Sequence, residues 1–253
     1  MCTNNSLLDA LKKFESVTSI KDENDKLDGL ESQFSKIAKC VFNEGYFQIN
    51  NSRRIYPTVI EFYYHEEKKE GLKDPIMYHT SYHDKKCDNG NDYYPLGALN
   101  FHVSGVDVTF ENKSKQYRAS FLIREYDVYE RNTNGEWIII KSETRSTYIY
   151  EDMLMRIPVF GGINLQWISE HSLTDYVYGM DVRKNVASYH LVEEPGKPDK
   201  YEKDSISDAE YQNLPEEQQK YYFTYSGHKY KKCTRKWSYR KIRFVKIESK
   251  ELV

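Results

Sequence analysis

Apolar residues recur at helical spacing in the first 45 residues, and at alternating or continuous spacing after them. The stretches 6–17 (SLLDALKKFESV) and 26–45 (KLDGLESQFSKIAKCVFNEG) carry apolar residues three and four apart, which predicts two helices, the second ending at Gly45. Residues 53–65, 97–111, 117–131 and 136–146 are rich in β-branched and aromatic side chains and read as strands. The segment 132–136 (NTNGE) supplies a hairpin turn between the last two. Residues 151–165 and 170–191 mix apolar, charged and turn-forming positions and read as short helices and loops. Residues 200–223 contain a further helix, capped by Ser207 or Asp208. This pattern predicts an α+β fold: a curved, mixed, mostly antiparallel sheet flanked by helices. A helical extension over 1–37 precedes a single α+β domain over 38–253.

One strand carries a contradiction. In 57–67 (PTVIEFYYHEE), Val59, Ile60, Phe62, Tyr63 and Tyr64 are what a buried strand wants, yet Glu61 sits among them. A carboxylate in an apolar wall is costly to desolvate, tends toward a raised pKa, and can serve as a general base. An outward-facing Glu61 on a half-exposed strand is the plainer alternative. Its company favours the chemical one. Tyr63, two residues on, projects from the same face, and a carboxylate beside an aromatic plate suits a reaction at a flat heterocycle. Asp107 and Thr109 share a face in GVDVTFE. Arg124 follows three apolar residues in SFLIRE, placed to steady a carboxylate or bind a phosphate.

Composition narrows the partner class. The 253 residues are 39 % hydrophobic, with a surplus of 23 Tyr and 11 Phe that demands burial or flat partners. No apolar run approaches membrane-spanning length, the first residues lack a signal peptide's apolar core, and the four Cys form no CxxC pair. A reduced, cytoplasmic, monomeric protein without membrane contact is expected. The net charge of −2 is unevenly spread. Residues 193–217 are acidic, whereas 228–246 carry nine Lys or Arg and no acid, interleaved with Tyr230, Trp237, Tyr239 and Phe244. Such a block is the footprint of phosphate contacts beside stacking platforms, with Lys231, Lys232, Arg235, Lys236, Arg240, Lys241 and Arg243 as backbone-contacting residues. His79, His83 and Cys87 recur at four-residue spacing, which on a helix would suit zinc. The segment runs into DNGND and nominates no fourth ligand, so no metal or other cofactor is expected.

The ordered residues RRIYPTVIEFYYHEE, DPIMYH, LGALNFHVSGVDVTFE, ASFLIRE and RKIRFV resemble the alkyladenine (3-methyladenine) DNA glycosylase family. The likeness covers about residues 38–128, with an echo at 237–246. It implies base excision in DNA repair by a monofunctional glycosylase, with Glu61 activating the water that attacks the anomeric carbon. Tyr63 would stack on one face of an extruded base, and His79, with His102 or Phe101, on the other. Arg124 would brace the pocket. Flipping is needed because the glycosidic carbon is inaccessible within a stacked duplex.

Three departures bear on substrate. Ser104 precedes the turn Gly105 where the family carries an intercalating Tyr. The longer spacing from Glu61 to His79 leaves His65 or His83 as substitutes for His79. Asp107 adds a second acid to the pocket. A non-catalytic nucleic-acid-binding module remains an alternative, as does a metal-dependent nuclease using Asp107, Glu111 and Glu125.

Overall fold

A computed structural model describes residues 6–68, 71–72, 74, 77, 93–155, 160–170, 177–182, 187–192, 200–232 and 242–247. Two helices, α1 (Ser6–Lys12) and α2 (Glu23–Asn43), lead into β1 (Gly45–Ile49) and the long β2 (Arg53–Glu66). Then come β3 (Leu99–His102), β4 (Gly105–Thr109), β5 (Tyr117–Arg131) and β6 (Trp137–Glu143). A 3-10 turn (Ser146–Tyr148), α3 (Ile149–Leu154), β7 (Leu165–Ser169), β8 (Val177–Val182) and β9 (Tyr189–Val192) follow. The remainder comprises β10 (Lys200–Lys203), β11 (Ser205–Ile206), α4 (Asp208–Gln212), α5 (Glu216–Gln219), β12 (Tyr222–Tyr225), β13 (His228–Lys231) and β14 (Ile242–Ile247).

Nine strands form one curled sheet with the path β3-β4-β5-β2-β1-β7, to which β14 joins through β2, β8 through β14 and β6 through β5. The fold is α+β, as the hydrophobic pattern predicts. Every ladder among the described residues is antiparallel, so the sheet is not mixed there. Asp22 caps α2 by accepting from the Asn24 and Asp25 amides, and Leu27, Leu30, Phe34, Ile37, Ala38 and Val41 put its apolar stripe on the sheet. The Phe34 ring stacks on Phe62 of β2 at 4.3 Å, and Phe14 meets Tyr64 at 5.7 Å. Much of the aromatic surplus is therefore core. The boundary expected between 37 and 38 falls inside α2, and both N-terminal helices share one apolar core with the sheet. They pack on the sheet as part of that core.

Other expectations also change. Within 170–191 the described residues include strands β8 and the start of β9, and among the described residues of 151–165 the helix covers only the first few. Strands β1 and β7 pair with each other, and a Cβ at Gly45 would collide with the Ile168 carbonyl and the Trp167 ring. Gly45 thus marks a close strand approach as well as the helix end. The capped helix is α4, where Ser207 and Glu210 form a reciprocal capping box.

Glu66, at the end of β2, ties the N-terminal segment down. Its carboxylate accepts from the hydroxyls of Ser16, Thr18 and Tyr64 and from the Leu72 amide. Burial pushes its pKa up, but these donors outweigh burial and hold it below the ordinary 4.5. A depressed folded pKa contributes stability that is complete above the unfolded value and lost as pH falls through the folded one. The thermal midpoint of the protein should therefore fall below about pH 4.5, and Glu66→Gln should flatten that acid limb in a melting series. An unchanged acid limb in Glu66→Gln would show that other carboxylates carry it.

Candidate active site

Alternation along β2 divides its side chains. Ile60, Phe62 and Tyr64 face the helices, so Glu61, Tyr63 and His65 face the other way. Register carries this second face across the sheet. Glu61 pairs with Leu122 of β5, Tyr63 with Ser120 and His65 with Arg118. Leu122 pairs in turn with Asp107 of β4, and Asp107 with Asn100 of β3. The helix side is apolar apart from Glu66 and its hydroxyl partners, whereas this side holds Glu61, Asp107, Thr109, Arg118 and Ser120, all buried. A buried polar face of this kind is where site chemistry is expected.

Glu61 is 1 % exposed, and its cost is offset by Arg124, whose Nε lies 2.7 Å from Oε2. A β-bulge lies beside the pair: Val59 pairs with Glu125 and Ile60 with Ile123, which leaves Arg124 as the extra residue. Arg124 continues the series of Arg118, Ser120 and Leu122 on the Glu61 face. The guanidinium, 26 % exposed, also donates to the Ser146 hydroxyl at 3.4 Å, and Ser146 donates to the Ser104 carbonyl at 2.6 Å.

Tyr63 forms a small cluster with Leu122 and Met77 beside these charges. Burial, then the charges of Glu61 and Asp107, pushes its phenol well above the ordinary range, so it stays protonated. Met77 lies against the Tyr63–Leu122 wall, so a base stacking on Tyr63 must displace it. Tyr63→Ala should weaken engagement of an extruded base by roughly 1–3 kcal/mol, with Tyr63→Phe nearly silent. Equal damage from both changes would give the hydroxyl its own role.

His102 and Phe101 are alternatives for one stacking position, and the hairpin separates them. A two-residue connection, Val103 and Ser104, pairs His102 with Gly105, whose φ of 135° suits glycine, and a Cβ there would crowd Leu122 and Ser146. His102 then shares the Glu61 face and reaches Asp107, with Nε2 3.2 Å from Oδ2. Phe101 pairs with Val106 of the core face and packs on Tyr150. At the hairpin tip the side chain standing clear is Val103, 80 % exposed, rather than Ser104.

Beyond Tyr63 the same face carries a network outside the expected site. Arg118 donates to Glu67 at 2.6 Å and to Glu111 at 3.4 Å, and its guanidinium covers the Tyr93 ring at 4.2 Å. Glu111 also accepts from the Tyr94 amide. His65 takes part too, its Nδ1 accepting from the Asp74 amide at 3.1 Å. The signal was present in YRASFLIRE, where Arg118, Ser120, Leu122 and Arg124 alternate.

The basic block divides in two. Lys231 and Lys232 lie in and beside a three-stranded sheet, β11-β13-β12, while Arg243 falls on β14 in register with Glu61. The acidic stretch is not remote from it: β11 pairs with β13, and the Lys231 amide donates to the Asp204 carbonyl. Lys232 Nζ donates to the Lys220 carbonyl, whereas Lys231 is exposed. His79, His83, Cys87, Arg235, Lys236, Arg240 and Lys241 lie outside the described residues. Among the described residues Asp107, Glu111 and Glu125 do not converge into a group able to hold a metal ion. No described helix is long and apolar enough to cross a membrane. No protein-family description, curated protein or solved structure matches the chain.

Proposed function

We propose that the protein is an N-glycosidase that hydrolyses the bond between a sugar and a damaged or modified base in DNA. The observation that carries this is the buried Glu61, held by Arg124 beside the Tyr63 wall. The glycosidic bond breaks through an oxocarbenium-like state whose positive charge an ionised carboxylate stabilises. Water then adds to the anomeric carbon and yields its proton to Glu61, while the bonding electrons leave with the base. The guanidinium of Arg124, 2.7 Å away, holds the Glu61 carboxylate in place beside that wall. Tyr63 supplies the plate on which a flat base rests.

The test is incubation of the purified protein with alkylated and undamaged nucleic acids, followed by detection of free base. Release that leaves an abasic sugar is expected, and chelators should not alter it. Retention of every glycosidic bond despite tight binding would favour the non-catalytic module. Neutralising Lys231 and Lys232 together should flatten the dependence of log affinity on log salt, by about 0.7–0.9 for each phosphate that the protein then fails to neutralise. An unchanged slope would remove these lysines from the interface.

A further inference from the structure

The polar side of the sheet does not end at Glu61. Phe47 of β1, Ile55 of β2 and Val128 of β5 belong to the helix-side core. Their neighbours Tyr46, Arg54, Tyr56 and Tyr129 therefore face away from the helices, as Glu61 does. Register extends the row to β6, where Trp137 pairs with Arg131. Tyr56 precedes Glu61 by five positions on β2, roughly 17 Å at about 3.3 Å per residue.

At this end of the sheet, rings and guanidinium planes form one stack. Arg54 Cζ lies 4.2 Å from the centre of the Tyr46 ring and 4.1 Å from that of Trp137, and Arg131 Cζ lies 5.1 Å from Trp137. Tyr56 joins Tyr46 at 4.9 Å and Tyr129 at 5.0 Å. A guanidinium held over a ring by its face keeps its N–H donors in its own plane. Glu170 compensates Arg54, 3.8 Å from its Nη1. Arg131 is exposed, and among the described residues it has neither a carboxylate partner nor a hydrogen bond.

We infer that this face seats an unpaired stretch of the substrate strand, with Arg131 on a phosphate and adjacent bases against the half-buried rings beside it. The inference takes its partner class from the N-glycosidase proposal and narrows it to single-stranded DNA. In a duplex each base is already stacked on its neighbours and paired, so a surface of rings and arginines separates the two forms. The spacing suits one strand. Roughly 17 Å is a few stacked nucleotides at about 3.4 Å each, and single-strand sites span about 4–16 nucleotides.

The experiment measures binding of a labelled single-stranded DNA carrying one alkylated base, and of the same sequence as a duplex, by fluorescence anisotropy, with base release from both. The wild type should bind and process the single strand about tenfold better or more. Arg131→Ala and Trp137→Leu should each weaken single-strand binding by about 5–150-fold, the range of one lost stack, and duplex binding far less. Trp137→Phe keeps a ring and should retain most of the affinity, whereas Arg131→Lys keeps the charge without the plane and should not. Thermal melting checks that each variant folds. Base release that prefers the duplex, or single-strand binding unchanged in both Arg131→Ala and Trp137→Leu, overturns this assignment alone. So does full recovery in Arg131→Lys, which would reduce the stack to a charge. Strand binding that follows these variants without any base release fails the N-glycosidase proposal and leaves the strand site standing. If the wild type binds neither form and releases no base, both proposals fall, and the Trp, Tyr and Arg of this face belong to a protein interface.

Discussion

Glu61→Gln should lower base release by about 10²–10⁴-fold while leaving nucleic-acid affinity within about twofold. The change removes the charge and the proton-accepting ability but keeps the shape, and the amide oxygen can occupy the place of the carboxylate oxygen that lies 2.7 Å from Arg124 Nε. Electrostatic support for the oxocarbenium-like state would vanish, whereas the protein's hold on the strand would not. Single-turnover release and equilibrium binding on the same substrate separate the two effects. Undiminished release by the variant would remove Glu61 from the mechanism. A parallel fall in affinity would instead mean that the carboxylate holds the pocket together.

The largest expected loss of stability lies elsewhere on the same face. Arg118 is almost wholly buried between Glu67 and Glu111, with its guanidinium over Tyr93. Arg118→Met fills much of the same volume but strands buried carboxylate charge in an apolar setting. Breaking a buried pair from one side typically costs about 3–5 kcal/mol. Urea denaturation should show a loss of that size. Doubling the change with Glu67→Gln should recover part of it, since the stranded charge, rather than poorer packing, is the main penalty. A loss below about 1 kcal/mol would mean that water reaches the guanidinium site and replaces its bonds.

The face that carries these groups was legible in the sequence wherever strict alternation holds. Glu61 and Tyr63 on β2 could be placed together from spacing alone, and so could Asp107 and Thr109 on β4. What spacing could not show was register. The union of Glu61 with Arg124 depends on the register that sets Leu122 opposite Glu61, with a bulge opposite Val59 beside it. The choice between His102 and Phe101 depends on how the Val103–Ser104 connection closes at Gly105. Strands β1, β7 and β8 were missed for a related reason. GYFQI follows α2 after only Glu44, and VYGMDV contains Gly and Asp, residues poor in strand propensity. Their pairing is imposed by neighbours: β7 lies on β1, and β8 on β14. The N-terminal helices were legible as helices but not as core. Periodicity shows that a helix has an apolar stripe and leaves open what the stripe will cover.

The pairing of β2 with β14 has a consequence in time. Glu61 lies where β2 is flanked by β5 on one edge and by β14, from far downstream, on the other. At synthesis rates of about 5–20 residues per second, the strand bearing Glu61 leaves the ribosome on the order of ten seconds or more before its second neighbour. Until then one of its edges offers unpaired amides and carbonyls to any passing chain. A nascent protein therefore holds an unfinished sheet and an unfinished site together. The stretch of sheet around Glu61 is complete only when the late strand docks, so synthesis sets the earliest moment at which both neighbours of that strand are in place.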